Sequence, residues 1–256
     1  MPDSPLANET ALGINVRARA GLPPIKGFIE TSFLDWRGYI STVLFLPGCN
    51  FACPYCHNYT LVSDPESYLT LDLQDILTRL KPFVGWIDGV VVSGGEPTLH
   101  PGLADLLEAI RSTGFKVKLD TNGSRPRVVR ELCQAGLVDM VAMDLKAPLD
   151  SMAYARAAGR AVEVDRVAAT LDYLRSSGIS HEIRSTIWPG WHGNQELAAM
   201  ARAVEGCQTW TLQALNPANA WQRNALGQGE PYSSDDLARM QTNLADAACQ
   251  SQGCVV

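Results

Sequence analysis

From Ile25 onward, short apolar runs alternate with amphipathic stretches of helical period. ISTVLFLP precedes LDLQDILTRLKPF, GVVVSG precedes LADLLEAIRSTG, and FKVKLD precedes PRVVRELCQAG. The series continues with LVDMVAMDLK before VDRVAATLDYLRSSG and ISHEIRSTIW before NQELAAMARAVEG, and it ends on QTWTLQAL. Apolar runs of this length bounded by turn residues read as buried strands, and the 3.6-period stretches read as helices that cover them. Gly114, Gly136, Gly178 and Gly206 each follow an amphipathic stretch, where helix-ending glycines belong. Parallel neighbours need a crossover connection, so the pattern predicts an α/β chain of six β/α units, a partial (β/α)6 TIM-like barrel. A doubly wound open sheet is the competing arrangement, and strand count alone does not separate the two. A last helix over SSDDLARMQTNLADAA is announced by Ser233 or Ser234 as N-cap, with Asp235 and Asp236 in its first turn. Residues 1–22, rich in Pro, Ala and small polar types, read as a flexible N-terminal arm. Residues 23–256 read as one barrel unit with its C-terminal helix.

Charge and cysteine content narrow the classes. The net charge is −6 and no basic run occurs, which argues against nucleic-acid or anionic-membrane partners. No apolar run approaches the eighteen or so residues of a spanning helix. The opening MPDSPLANETALG lacks the basic start and apolar core of a secretory signal, so a cytoplasmic location is expected. Of seven cysteines, Cys49, Cys53 and Cys56 cluster. Cys133 and Cys207 stand alone and Cys249 and Cys254 lie at the tail, so these four read as structural or incidental.

The clustered three form C-x3-C-x2-C within GCNFACPYCHN, directly after the first apolar strand. Three thiolates at this spacing can hold a [4Fe–4S] cube by three irons and leave the fourth iron open to a substrate or cofactor. A structural zinc knot using His57 is the alternative, although zinc sites usually draw paired ligands from two separated segments. In a β/α barrel the active site lies at the C-terminal strand ends, and unusual polar residues fall there in turn. SGGEPT brings Gly94 and Gly95, which let backbone approach closely, and Glu96, which can accept from an ammonium. LDTNG brings Asp120 and Asn122, residues that also suit a turn. Asp144 and Lys146 of MDLKAP project to one side of a strand, as partners of a ligand or of each other. Glu182, Arg184 and Thr186 alternate on one face of HEIRSTIW and point to a polar cavity or a charged pair between barrel layers. His192 reads as a loop histidine.

The cysteine spacing, with Tyr55 as the aromatic before the third Cys, resembles the signature of the radical S-adenosylmethionine (SAM) superfamily. CPYCHN is most similar to the activating enzymes of glycyl-radical proteins, of the anaerobic ribonucleoside-triphosphate reductase or pyruvate formate-lyase type. The resemblance implies a [4Fe–4S] cluster on Cys49, Cys53 and Cys56. It also implies a SAM site drawing on Tyr55, Gly94, Gly95, Glu96, Asp120, Asn122, Asp144, Lys146 and Arg184. The implied reaction is one-electron cleavage of SAM and hydrogen abstraction from a partner glycine, fed by a low-potential donor such as flavodoxin or ferredoxin. Two departures stand out. The region LQALNPANAW offers Asn216 and Asn219 where some relatives have a cofactor-contacting His, and DWRG replaces a turn that often carries Pro. A radical SAM enzyme for a small molecule and a non-catalytic iron–sulfur or zinc protein are the alternatives.

Overall fold

The computed structural model describes residues 21–251 of the chain. The expected arm over 1–22 lies, but for Gly21 and Leu22, outside the described residues, as do Cys254 and the side chain of Cys249.

Among the described residues seven strands form one sheet whose spatial order follows the chain: β1 (Gly27–Ser32), β2 (Ser41–Leu46), β3 (Gly89–Gly94), β4 (Lys116–Thr121), β5 (Met140–Asp144), β6 (Ser180–Ile187) and β7 (Trp210–Ala214). β2 to β7 are parallel throughout, while β1 pairs antiparallel with β2. This order decides between the two candidate architectures. A doubly wound sheet reverses its strand order at a switch point. Here the order never reverses, so right-handed crossovers put every helix on one face and the other face curls inward. The result is the six-unit partial barrel wall with an added edge strand.

The crossovers are α1 (Tyr59–Ser63) and α2 (Leu73–Leu80), α3 (Leu103–Arg111), α4 (Pro126–Gln134), α5 (Ser151–Ala158) with α6 (Val164–Ser177), and α7 (Asn194–Ala203); α8 (Ser234–Ser251) follows β7. Helix α3 shows why they dock. Leu103, Leu106, Leu107 and Ile110 recur at helical spacing and are buried in one cluster with Val90, Val92, Val117 and Leu119 of the sheet. The four expected helix-ending glycines all have positive φ, from 66° to 95°. Of the two candidate caps for the last helix, Ser233 is the one used: its hydroxyl accepts from the Asp236 N–H and donates to the Asp236 carboxylate.

On the concave side, Trp36 packs with Val43 and Val91 as a small apolar cluster. It sits so close to Gly89 that a Cβ there would lie 2.6 Å from the indole. The DWRG turn is therefore a plug for the N-terminal end of the barrel. Above it the interior is charged.

Candidate active site

The exit of β2 is built first, because everything else leans on it. The Gly95 N–H donates to the Leu46 carbonyl and the Glu96 N–H to the Gly48 carbonyl, both at 2.8 Å, so the exits of β2 and β3 run in contact. A Cβ on Gly95 would lie 1.9 Å from the Gly48 oxygen, and one on Gly94 2.3 Å from the Leu46 oxygen. The glycine pair thus serves the approach of one strand exit to the other, immediately before Cys49. Sequence reasoning had assigned that closeness to a ligand.

The cysteine loop is then pinned from several sides. The Ala52 N–H donates to the Ala158 carbonyl at the end of α5, at 2.7 Å. The Asn58 amide donates to the Gly94 carbonyl at 2.8 Å, and the Asn122 amide reaches Asn50 Oδ1 at 2.9 Å and Cys49 Sγ at 3.8 Å. From the far end of the chain, Trp221 Nε1 donates to the Cys53 carbonyl at 2.7 Å while its ring stacks on Tyr59 at 3.9 Å. Asn50, Asn58 and Trp221 were missed from the sequence. An Asn directly after the first and one two after the last cysteine was the available signal for two of them; a lone Trp in a Pro-Ala-Asn loop gave none.

Cys49, Cys53 and Cys56 are free thiols around a cavity of about 260 Å³, walled by Phe51, Ala52, Tyr59, Val62 and Trp221. Among the described residues no three His, Cys, Asp or Glu side chains converge as ligands of a single ion would. The thiols instead ring a space, and His57 is exposed. That geometry fits a cube held by three corners better than a zinc knot. Burial pushes the Cys49 thiol up to about 11 and that of Cys53 to about 12, and raises Cys56. Such thiols are inert alone and become thiolates when a metal displaces their protons.

Glu96 is fully buried, and its carboxylate is already engaged. It accepts from the backbone N–H and hydroxyl of Thr98, the Thr121 hydroxyl at 2.8 Å and the Asn122 N–H at 2.7 Å. Burial raises its pKa, against these donors. In this geometry Glu96 ties the SGGEPT turn to DTNG and through it holds Asn122 at the cysteine loop. Its Oε1 takes three of these bonds and its Oε2 one.

Inside the barrel three bases meet three acids. Lys118 Nζ lies 2.8 Å from Glu182 and 4.0 Å from Asp120 Oδ1. Arg184 bridges Asp120 Oδ2 at 3.2 Å and Asp144 Oδ1 at 2.9 Å, and Lys146 Nζ lies 3.2 Å from Asp144 Oδ2. Burial would lift the Asp144 carboxyl, but Arg184 and Lys146 outweigh it and hold it down at about 2. Burial likewise opposes the Lys146 ammonium, yet Asp144 keeps its pKa well above the usual range. Two buried polar atoms have no hydrogen-bond partner among the described residues: Asp120 Oδ1 and the Tyr55 hydroxyl. Both belong to the predicted set. Buried polar groups are seldom left open, so each is an open valence for a bound molecule or water.

The structure thus brings all the predicted site residues to neighbouring strand ends. Three others lie apart from that set. The Asn216 side chain accepts from the Ala218 N–H in a local turn, and Asn219 is exposed. His192 is fully buried, in contact with the Lys146 backbone.

Comparison with known proteins follows the same geometry. The family model described as the radical SAM superfamily matches residues 43–202. A protein of Methanocaldococcus jannaschii named as a glycyl-radical enzyme activating enzyme is 30% identical over 201 residues, 77% of this chain and 82% of that protein. The 7-carboxy-7-deazaguanine synthase of Neisseria meningitidis is 36% identical over 78 residues, 30% of this chain and only 34% of the synthase. Among solved structures, Streptococcus suis SuiB bound to precursor peptide SuiA superposes with a TM-score of 0.62 at 18% identity, over 80% of this chain and 45% of that one. At that identity the likeness shows the fold alone.

Proposed function

This chain belongs to the radical SAM superfamily, whose members use a [4Fe–4S] cluster and SAM, and from that premise we propose that it activates a glycyl-radical protein. The cluster and SAM, when bound, supply a 5′-deoxyadenosyl radical by one-electron cleavage of the bond from sulfur to C5′. The substrate in this reading is a glycine Cα–H of a partner polypeptide, and the electron comes from a low-potential carrier such as flavodoxin or ferredoxin. The observation that carries it is the reach of the similarity: four-fifths of the activating-enzyme relative is matched, against a third of the synthase.

The residues divide the work by chemistry. Cys49, Cys53 and Cys56 would hold the cluster by three irons in the walled cavity. Lys146, whose ammonium Asp144 favours, is suited to a carboxylate such as that of SAM. Asp120 Oδ1 and the Tyr55 hydroxyl supply unspent polar atoms. The bases Lys118, Lys146 and Arg184 are matched by the acids Asp120, Asp144 and Glu182, so the lining is mixed in sign rather than a cationic funnel. A neutral glycine-bearing loop suits such a lining.

The test uses anaerobically reconstituted protein, SAM, a reductant and a glycyl-radical protein deuterated at glycine. Label should appear in 5′-deoxyadenosine, one per glycyl radical seen by EPR. The synthase relative favours a second reading, a small-molecule substrate. Rapid turnover of a metabolite without any protein partner would establish that second reading and overturn the first.

A further inference from the structure

The Lys146 backbone has left the sheet. β5 ends at Asp144, and the strand-like bonding continues only to the Leu145 N–H, which donates to the Arg184 carbonyl at 2.9 Å. Both backbone polar groups of the next residue are met by side chains. The Lys146 N–H points to the Tyr154 hydroxyl at 3.4 Å, and the Lys146 carbonyl accepts from His192 Nε2 at 2.9 Å. A carbonyl can only accept, so Nε2 must carry the proton. The other ring nitrogen agrees: Nδ1 accepts from the Trp188 N–H at 3.0 Å and so must be bare. The ring is held in turn. The His192 N–H returns to the Trp188 carbonyl at 2.8 Å, the Tyr232 hydroxyl donates to the His192 carbonyl at 2.9 Å, and Trp188 Nε1 donates to the Leu226 carbonyl at 2.9 Å. Next to it, Trp191 packs on Tyr55 of the cysteine loop with ring centroids 5.8 Å apart.

We propose that His192 is the positioning residue for Lys146: by fixing the Lys146 carbonyl it sets where the ammonium stands relative to Asp144 and the cysteine loop. The consequence for SAM affinity rests on the reading of Lys146 as a carboxylate ligand; the backbone link does not. A lysine ammonium is a mobile point charge on a four-carbon stem, so its aim is set by the backbone that carries it.

Two substitutions separate positioning from mere support. In His192→Gln the side-chain amide can still donate near the Nε2 position, whereas His192→Asn is too short to reach Lys146 and keeps only an acceptor for Trp188. Both lose the imidazole, so their thermal midpoints should fall alike. In the metal-free chain, hydrogen exchange at the Lys146 and Ala147 amides should speed up about tenfold in His192→Asn and stay within about threefold in His192→Gln. With the reconstituted protein the Kd for SAM, read from its perturbation of the reduced-cluster EPR signal, should rise about tenfold in the first and stay within about threefold in the second. Equal exchange in the two variants would overturn the proposal, and so would SAM affinities that merely track stability. Should neither variant fold, nitrogen NMR of the unaltered protein still decides, since a proton found on Nδ1 would sink the assignment. A wild-type protein that bound no SAM would strike the cofactor role of Lys146 and leave the exchange result to judge the backbone link.

Discussion

The exits of β2, β3 and β4 and the exits of β5, β6 and β7 form two halves of one rim, held by different means. The first half is joined largely through its backbone. Gly95 and Glu96 bond to Leu46 and Gly48, and Asn122 donates its N–H to Glu96 and its amide toward Asn50. The second half has backbone joints of its own, Leu145 to Arg184 and Leu215 to Ile187. It adds side-chain ones: Arg184 to Asp144, His192 to Lys146 and Trp188 to Leu226, with Arg184 also reaching Asp120 of the first half. Backbone joints need residues of special shape at consecutive positions, so they surface in a sequence as compact motifs. Side-chain joints need only suitable ends of long residues, scattered tens of positions apart. The first kind of joint tolerates little change, while the second redistributes its load among neighbours.

The largest expected effect falls on the first half. Cys53→Ala should take anaerobically reconstituted protein from about four irons per chain to a small fraction of that, by iron assay and absorbance. Cys133→Ala, away from the cavity, should keep its iron. If both variants lost iron equally, the three-cysteine cradle would be wrong.

Next comes Gly95→Val. Its Cβ would meet the Gly48 oxygen at 1.9 Å, against backbone that cannot swing aside. Destabilisation of about 3 kcal/mol or more is expected, together with a disordered cysteine loop and poor iron loading. A soluble, fully iron-loaded Gly95→Val that failed only to bind SAM would show that the glycine serves the ligand after all.

Lys146→Ala probes the second half and should be gentler on the fold. Asp144 keeps Arg184 at 2.9 Å, so no carboxylate is left wholly unpaired. A stability loss of about 1 kcal/mol with SAM binding weakened about tenfold is expected by denaturation and titration. An unfolded variant would mean that the ladder of charges is as unforgiving as the glycine joint, and the contrast between the halves would fail.

The smallest effect is a pH slope. Burial lowers the His192 pKa below its usual 6.5; the Trp188 N–H donated to Nδ1 favours the same neutral ring, and only the Lys146 carbonyl pulls the other way. Below pH 6.5 the unfolded chain takes up a proton that the folded ring resists, so stability is whole above that pH and declines as pH falls. The slope can reach at most about 1.4 kcal/mol per pH unit. Urea unfolding between pH 7.5 and 5.5, taken as a difference between wild type and His192→Gln, isolates it from the other histidines, and identical slopes would remove it.

Legibility followed how compactly each constraint is written along the chain, in both halves of the rim. The cysteine loop, SGGEPT, DTNG and MDLK were readable as strand-end chemistry because each packs its constraint into four to eight consecutive residues. Strand β1 was not read: GFIETS has a glycine start, mixed polarity and exposed positions, and owes its extended form to pairing with β2. Helix α5 was hidden too, since SMAYARAA has a weak apolar face and gains its place by capping from Asp150 and by burying Tyr154 and Ala157. Glu96 was found but its bonding was not, because the three residues that occupy it include two from another strand exit. His192 does lie in the loop between β6 and α7, but no linear pattern places it beside a carbonyl 46 positions earlier.

The bond from Trp221 to the Cys53 carbonyl spans 168 residues. During synthesis the cysteine loop therefore emerges long before the indole that will wall it on one side. The growing chain must pass through every intervening strand before that wall can be set. A maturation machinery that delivers iron and sulfide has that interval in which the thiols stand with one side uncovered, and a nascent chain stalled short of residue 221 should load and lose its metal more readily than the finished protein.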